Sequence, residues 1–303
     1  MPELPEVETV RRGLEANTIG YRIAGGEVLL DRTVAYPETG AAFLAGLSGA
    51  TFRQWRRRGK YLLADLDRAD GTVCGFGVHL RMTGQLLWCD RAAPLQKHTR
   101  VRLFVELNPA TRVNPSEEDT DRNDRPLERE LRFVDTRTFG QMWWIPAGIA
   151  EPEIVTGLRK LGPEPLSAEF TVAAFATALA HRKRPIKNAL LDQAIVAGVG
   201  NIYADEALFL SGIRSTTLCC DLTPAEIERL RDNVVCVLKD SIALGGTTFS
   251  DFVGVTGTNG RYGGIARVYN RTGQPCPVCQ TSIERIRLAG RSAHFCPQCQ
   301  PKG

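Results

Sequence analysis

Two cysteine pairs near the end of the chain are the residues whose spacing points most directly to chemistry. Cys276 and Cys279 form one CxxC motif, Cys296 and Cys299 form another, and 16 residues separate the two motifs. Each motif can place two thiolates on one side of a metal ion, and four sulfur ligands complete a closed tetrahedral zinc site. Because such a site leaves no position for water, the pattern predicts one structural Zn²⁺ that supplies folding energy to a small unit.

The start of the chain offers a second reactive group. If Met1 is removed, Pro2 becomes a secondary amine, and an α-amine titrates at about 8, well below a lysine. Such an amine is nucleophilic near neutral pH and can form a Schiff base with a carbonyl-like carbon. Glu3, and Glu6 one helical turn later, could transfer protons. From residue types alone, an acidic helix start is the more frequent explanation of these two carboxylates.

Basic residues are clustered, although the 303-residue chain has a net charge of only +4. Thr51–Lys60 contains five cations and no acid, and residues 271–303 contain five cations and one acid. Such clusters suggest a polyanionic partner, while a solvated cationic face would explain them as well. No apolar run reaches the roughly 20 residues of a membrane span. The acidic N-terminus lacks signal-peptide features, so we expect an intracellular protein with no membrane partner.

The hydrophobic pattern predicts a two-domain α+β fold with a leading helix from Pro5 to the Asn17–Gly20 region. Many short strands then favour an N-terminal β-sandwich or barrel, and a helical domain follows. Strands are expected at Arg22–Leu30, Thr51–Arg57, Tyr61–Leu66, Thr72–His79, Arg100–Leu107, Leu131–Val134 and Gln141–Ile145. Helices are expected at Ala168–Ala180, Ile186–Gln193, Ile202–Ser211 and Thr223–Leu244, and a cysteine-rich hairpin at the end. The other five cysteines are expected to be buried thiols: Cys74, Cys89, Cys219, Cys220 and Cys236.

Several motifs occur together in an order that resembles the formamidopyrimidine-DNA glycosylases, of the helix–two-turn–helix DNA glycosylase family. They are MPELPEVETVRRGLE, RRGKYLL, HLRMTGQL, VDTRTFG, LGPEPL, GVGNIYADEALFLSGI and the terminal cysteine knuckles. The resemblance implies a catalytic β-sandwich domain over 1–150, a helix–two-turn–helix DNA-binding domain over 151–265 and a zinc-finger hairpin over 266–303. It also implies a monomer that acts on damaged double-stranded DNA in the bacterial cytoplasm, associated with the nucleoid.

The resemblance implies a role for particular residues at the reaction centre. Pro2 matches the nucleophile that attacks the sugar C1′, and Glu3 matches the acid that protonates the opening sugar ring. Glu6 matches a carboxylate that supports the amine, and Lys60 matches a lysine that contacts phosphate and assists catalysis. Three further residues match the wedge that fills the space left by an extruded base: Met82, Arg137 and Phe139.

Other matched positions are expected to contact DNA. Asn201 and Arg291 match phosphate ligands, and His98 matches a further DNA contact. The glycine-rich segment Gly245–Gly264 corresponds to a flexible loop over the extruded base, with Thr247, Thr248 and Tyr262 as expected contacts. Two departures concern affinity and lesion preference rather than chemistry: Arg81 stands where the family pattern has glycine, and the acid-rich surface segment Asn108–Glu130 is longer than usual.

The function implied is that of a bifunctional glycosylase and abasic-site lyase. It would excise 8-oxoguanine and formamidopyrimidines through a Schiff base on Pro2, followed by β- and δ-elimination. One alternative is an endonuclease VIII-type enzyme for oxidised pyrimidines, against which the MPELPE start and Phe139 argue. A second alternative, from another class, is a non-catalytic zinc-ribbon protein that binds DNA lesions.

Overall fold

The computed structural model describes residues 1–108, 128–247, 254–257 and 259–301. The chain divides into two compact units. The first comprises Met1–Pro2, Glu6–Arg159 and Thr248–Gly260, and the second comprises Glu3–Pro5, Lys160–Thr247 and Arg261–Gly303. Each unit has an apolar core of its own, as expected for segments long enough to exclude water from a set of aliphatic and aromatic side chains.

The first unit contains a β-sheet with helices beside it. Its elements are α1 (Leu4–Thr18), β1 (Tyr21–Val28), β2 (Val34–Tyr36), α2 (Gly40–Leu47), β3 (Thr51–Arg58), β4 (Tyr61–Asp67), β5 (Val73–His79), β6 (Gly84–Asp90), β7 (Thr99–Leu107), β8 (Arg129–Asp135), β9 (Gln141–Ile145) and α3 (Glu151–Ile154). The nine described strands form one sheet in the order β2-β9-β5-β4-β3-β1-β7-β8-β6. All pairs are antiparallel except β2 with β9. The expected α+β class is confirmed.

Two tight turns of this sheet carry the residues matched to the wedge. The Met82 turn (residues 80–83) joins β5 to β6, and the Arg137 turn (residues 136–140) joins β8 to β9. They lie at one end of neighbouring strands, because Gly84 at the start of β6 pairs with Asp135 at the end of β8. The sheet therefore brings together two turns that are more than fifty residues apart in sequence.

The second unit is helical and ends in a hairpin. It contains α4 (Val172–Leu179), α5 (Ile186–Leu190), α6 (Asn201–Ser211), α7 (Pro224–Ala243), β10 (Glu284–Leu288) and β11 (Arg291–Phe295). A capping box begins α7, since Thr223 Oγ1 accepts from the backbone N–H of Glu226 and the Glu226 side chain accepts from the backbone N–H of Thr223. Such a cap satisfies N–H groups that have no partner within the helix.

Some sequence-based expectations were wrong. The predicted loop end at Glu130 is wrong because Arg129 and Glu130 already belong to β8, and residues 109–127 lie outside the described part. Cys220 and Cys236 are exposed rather than buried. Among the described residues, no helix has the length and apolar character required to cross a membrane.

Candidate functional site

The four terminal cysteines form a cluster with metal-site dimensions. Their sulfur atoms all lie within 4.8 Å of one another, and the closest pairs are 3.4 to 3.8 Å apart. A tetrahedral zinc ion with Zn–S bonds of about 2.3 Å requires sulfur atoms about 3.8 Å apart. Cys276 and Cys296 are fully buried. The donor set therefore fits zinc, which would hold β10 and β11 in place when bound.

Glu3 is fixed at the N-terminus of α6. The side chain is 2% exposed, and its Oε1 accepts a hydrogen bond of 2.9 Å from the backbone N–H of Ile202. A Cβ atom on Gly200 would lie 2.2 Å from Cδ of Glu3, so only glycine permits this approach. The next residue, Asn201, has a buried Oδ1 without a hydrogen-bond partner in the described part of the chain. The sequence motif GVGN thus places a carboxylate and an amide at one helix end, where backbone N–H groups favour anions.

A buried ion pair joins the hairpin to the helices of the second unit. Lys187 Nζ donates to Asp205 Oδ1 at 2.6 Å and also to the carbonyl oxygen of Ser292. The other Asp205 oxygen accepts from the backbone N–H of His294 at 2.9 Å and lies 3.0 Å from its Nδ1. Burial lowers the pKa of Lys187, and the Asp205 carboxylate opposes that shift. This network fixes the strand that begins at exposed Arg291 against the helix that begins at Asn201.

A neutral imidazole accompanies Lys60 in the first unit. His79 is 8% exposed and its Nδ1 accepts a 3.0 Å hydrogen bond from the backbone N–H of Arg81. Burial, reinforced by the positive charges of Arg81 and Lys60, lowers the pKa of His79 to about 3. The proton therefore lies on Nε2, which makes this atom a donor. Sequence reasoning missed His79, although it stands in the HLRM motif that supplied Met82.

The three residues matched to the wedge lie on the Met82 turn and the Arg137 turn. Phe139 is 55% exposed, Arg137 is exposed and Met82 is half-buried. The guanidinium of Arg32 supports the Arg137 turn by donating to the carbonyl oxygen of Thr138 at 2.8 Å, and Thr138 has a φ of 58°. The ring of Phe139 therefore does not belong to the core of the first unit.

Arg81, the departure from the family pattern, lies beside Met82. It has a φ of 53°, a region that costs non-glycine residues energy, and its guanidinium donates to Gln141 Oε1 at 2.8 Å. The side chain thus connects the Met82 turn to the first residue of β9.

Three further expected site residues of the first unit are at least partly buried. Pro2 and Glu6 are buried near and within the first turn of α1, with Glu6 1% exposed. His98 is half-buried, its Nδ1 lies 3.2 Å from Arg100, and its carbonyl oxygen accepts from the N–H of Asp135. His98 therefore also supports the strand that leads into the Arg137 turn.

The expected contacts in the glycine-rich segment are corrected by the structure. Tyr262 is fully buried in the core of the second unit, where its ring packs edge-on against Tyr203. Thr247 is 3% exposed and hydrogen-bonded to the Tyr203 hydroxyl at 3.0 Å. These two side chains hold a core together in this state and are not presented to a ligand. Thr248 lies outside the described residues.

Three family models match the chain. Residues 1–142 match the formamidopyrimidine-DNA glycosylase N-terminal domain, and residues 161–253 match the formamidopyrimidine-DNA glycosylase H2TH domain. Residues 273–302 match a zinc finger found in FPG and IleRS. Together with the geometry of the cluster, this match identifies the four cysteines as the ligands of one structural zinc ion.

Relatives and solved structures are similar over the full length. A formamidopyrimidine-DNA glycosylase of Acaryochloris marina is 57% identical over 100% of both chains, and one of a Nostoc species is 55% identical over 99% of this chain and 100% of its own. A structure of a Lactococcus lactis FPG mutant with Fapy-dG-containing DNA gives a TM-score of 0.84 at 32% identity, covering 99% of this chain and 100% of that one. A structure of MutM with DNA containing carbocyclic 8-oxo-G gives 0.83, with the same identity and coverage.

Proposed function

The chain belongs to the formamidopyrimidine-DNA glycosylase family, and we propose that it excises oxidised purines from duplex DNA and then cleaves the abasic strand. Its substrates are 8-oxoguanine and formamidopyrimidines in damaged double-stranded DNA. The three regions 1–150, 151–265 and 266–303 carry catalysis, helix–two-turn–helix DNA binding and the zinc-finger hairpin. Action on chromosomal DNA places the protein in the bacterial cytoplasm, at the nucleoid.

The reaction requires the amine of Pro2, which becomes free when Met1 is removed. The amine attacks C1′ of the damaged nucleotide, the bond to the base breaks, and the base leaves with a proton. Glu3 gives a proton to the ring oxygen of the sugar as the ring opens, and the product is an iminium between Pro2 and C1′. Loss of the C2′ proton then expels the 3′ phosphate, and a second elimination expels the 5′ phosphate. Glu6 supports the amine, and Lys60 contacts phosphate.

The observation that best supports base extrusion is the exposed Phe139 beside exposed Arg137. Removing a base from the duplex exposes a hole that costs a few kcal/mol in lost stacking and pairing. An aromatic wedge and a neighbouring arginine that faces the orphaned base offset this cost, and Met82 fills the remaining space. A protein that only bound the DNA backbone would gain nothing from exposing an apolar ring.

The DNA backbone is held by donors in both units. Asn201 and Arg291 bind phosphate in the second unit, while His98 and the Nε2–H of His79 act with Lys60 in the first. Neutral donors such as imidazole and amide add directional hydrogen bonds, and the cations add the salt-dependent part of the affinity.

Borohydride trapping on a duplex with 8-oxoguanine opposite cytosine tests this proposal. The wild-type protein is compared with Pro2→Gly and with a form that retains Met1. We expect a covalent adduct that maps to Pro2 in the wild type and is absent when Met1 holds the Pro2 nitrogen in an amide. The adduct should be weaker with Pro2→Gly, because a primary amine on a different residue replaces the secondary amine.

Two other outcomes would replace the proposal. An adduct only on a thymine-glycol duplex would assign the protein to oxidised pyrimidines, and one relative has been solved with oxidised-pyrimidine-containing DNA. Binding of every lesion duplex by zinc-loaded, Met1-processed protein, with no adduct and no strand cleavage, would identify a lesion-binding protein without catalysis.

A further inference from the structure

A buried carboxylate joins the two turns that carry the wedge. Asp135 is 1% exposed. Its Oδ1 accepts a hydrogen bond from the Thr83 hydroxyl and another, of 3.2 Å, from the backbone N–H of Arg137. Its Oδ2 accepts from the backbone N–H of Gly140 at 2.7 Å. Thr83 Oγ1 also accepts from the Arg137 N–H, at 3.0 Å. This N–H of the Arg137 turn therefore has two acceptors, Asp135 and a residue of the Met82 turn.

The donors around Asp135 explain why the residue is a carboxylate. One hydroxyl and two backbone N–H groups all point towards it, and a carboxylate is the side chain that accepts in every direction. An asparagine has the same shape, but its NH₂ group would have to face either the Gly140 N–H or the donors on the other side. Hydrogen bonds to an ionised acceptor are also stronger than those to a neutral amide.

The packing leaves the Arg137 turn little freedom to find another conformation. A Cβ atom on Gly140 would lie 2.3 Å from the ring of Phe133 and 3.0 Å from Asp135 Oδ2. The N–H of Asp135 donates to the His98 carbonyl oxygen at 3.0 Å, and its own carbonyl oxygen accepts from Arg100 Nε at 2.8 Å. Both the backbone and the side chain of Asp135 are thus fixed before any DNA is present.

We propose that Asp135, with Thr83, is a positioning element that makes Met82, Arg137 and Phe139 enter the duplex as one rigid wedge. The proposal rests on the proposed function, in which these three side chains replace the extruded base. It predicts a specific defect, because the wedge is needed most when a stacked and paired base must be displaced. A duplex with a preformed abasic site has no base to displace, so its cleavage depends much less on a preorganised wedge.

The test compares Asp135→Asn with wild type on two duplexes, one with 8-oxoguanine opposite cytosine and one with an abasic site opposite cytosine. In single-turnover assays we expect excision of 8-oxoguanine to slow roughly 10- to 100-fold, since loss of fixed wedge geometry raises the barrier to extrusion. Abasic-strand cleavage should stay within about threefold of wild type, because the chemistry at Pro2 is unchanged. A 2-aminopurine placed beside the lesion should show slower unstacking.

Glu130 provides a matched control in the same strand. It is also a fully buried carboxylate, but it pairs with Arg102 at 2.7 Å and with Arg132, which lie on β7 and β8 rather than on either turn. Glu130→Gln should lower the melting temperature while changing both reactions by the same factor. Thr83→Val should reproduce the selective defect of Asp135→Asn, whereas Thr83→Ser keeps the hydroxyl and should excise 8-oxoguanine at the wild-type rate. This pair of variants keeps the test valid if Asp135→Asn folds poorly.

The outcomes separate this inference from the proposed function. Equal slowing of both reactions by Asp135→Asn and Thr83→Val, or unchanged 8-oxoguanine excision, would overturn the positioning role. If Phe139→Ala leaves 8-oxoguanine excision intact, the wedge itself is wrong. If Phe139→Ala slows excision and Asp135→Asn does not, the wedge stands and only its coupling through Asp135 fails.

Discussion

Asp135 in the first unit and Asp205 in the second are both buried carboxylates, yet only Asp205 accepts a hydrogen bond from a charged side chain. Asp135 accepts from a hydroxyl and two backbone N–H groups, whereas Asp205 accepts from the Lys187 ammonium as well as from the backbone N–H of His294. Backbone donors fix the conformation of a turn, and an ammonium compensates a charge. The first arrangement therefore fixes the shape of two neighbouring turns, and the second fixes the strand that begins at Arg291 against the helix that begins at Asn201.

The largest effect should come from breaking the charged arrangement. Lys187→Met leaves the Asp205 carboxylate buried without its cation, which should lower the free energy of unfolding by about 3–5 kcal/mol. Asp135→Asn, which disturbs bonds from neutral donors, should cost only about 1–3 kcal/mol. Urea denaturation measures both values. Lys183, an exposed lysine four residues earlier, supplies the control variant Lys183→Met. If Lys187→Met and Lys183→Met are equally stable, the ion pair does not hold the second unit together.

The neutral imidazole of His79 in the first unit should make the free energy of unfolding depend on pH. The pKa of His79 is about 3 in the folded protein, against an ordinary value of 6.5. Between these values the unfolded chain binds a proton that the folded protein does not, so stability falls as the pH falls below 6.5. From pH 7 to 5 the loss attributable to His79 is about 2 kcal/mol.

The variant His79→Asn keeps an acceptor near the Arg81 N–H and removes the titrating group. Its unfolding free energy should decrease less than that of wild type between neutral and mildly acidic pH. His181 is exposed, and His181→Asn supplies a control for the chemical change from histidine to asparagine. Parallel pH profiles for wild type and His79→Asn would show that the imidazole binds its proton over the same pH range in the folded and the unfolded protein.

The smallest expected effect is on the salt dependence of DNA affinity, which should respond differently to substitutions of Arg291 in the second unit and Phe139 in the first. If Arg291 binds phosphate as proposed, Arg291→Ala should decrease the slope of log affinity against log salt by about 0.9 in magnitude. Phe139→Ala should leave this slope unchanged and slow excision instead. Fluorescence anisotropy at several salt concentrations measures the slopes on damaged and undamaged duplexes. Equal slopes for Arg291→Ala and wild type would remove Arg291 from the phosphate ligands.

Local sequence patterns were sufficient for the zinc site and for most elements. The spacing of the cysteines predicted their cluster because each CxxC pair places two sulfur ligands on one side of a metal ion through local backbone geometry alone. The same reasoning missed α2, because its sequence GAAFLAGL contains two glycines, which disfavour a helix. Burial of Phe43 and Leu47 stabilises the helix instead. It also missed β6, where only Gly84 and Leu86 are buried, so the alternation of buried and exposed side chains is weak.

Features made by distant residues could not be predicted locally. The hydrogen bond from the Arg137 N–H to Thr83 depends on sheet pairing between residues about fifty positions apart. The neutral state of His79 depends on burial and on two neighbouring cations. Tyr262 was expected at a binding surface because it lies in a glycine-rich segment, but packing against Tyr203 places it in the core.

The contact between Gly200 and Glu3 has a consequence for interpreting natural sequence variants. A methyl group at position 200 would occupy the space of the Glu3 carboxylate, almost two hundred positions away in the chain. A Gly200→Ala allele would therefore behave genetically as a loss of the Glu3 acid, although no reacting group had been altered. Variants at the two positions should be scored together, since the tolerance of one is set by the side chain at the other.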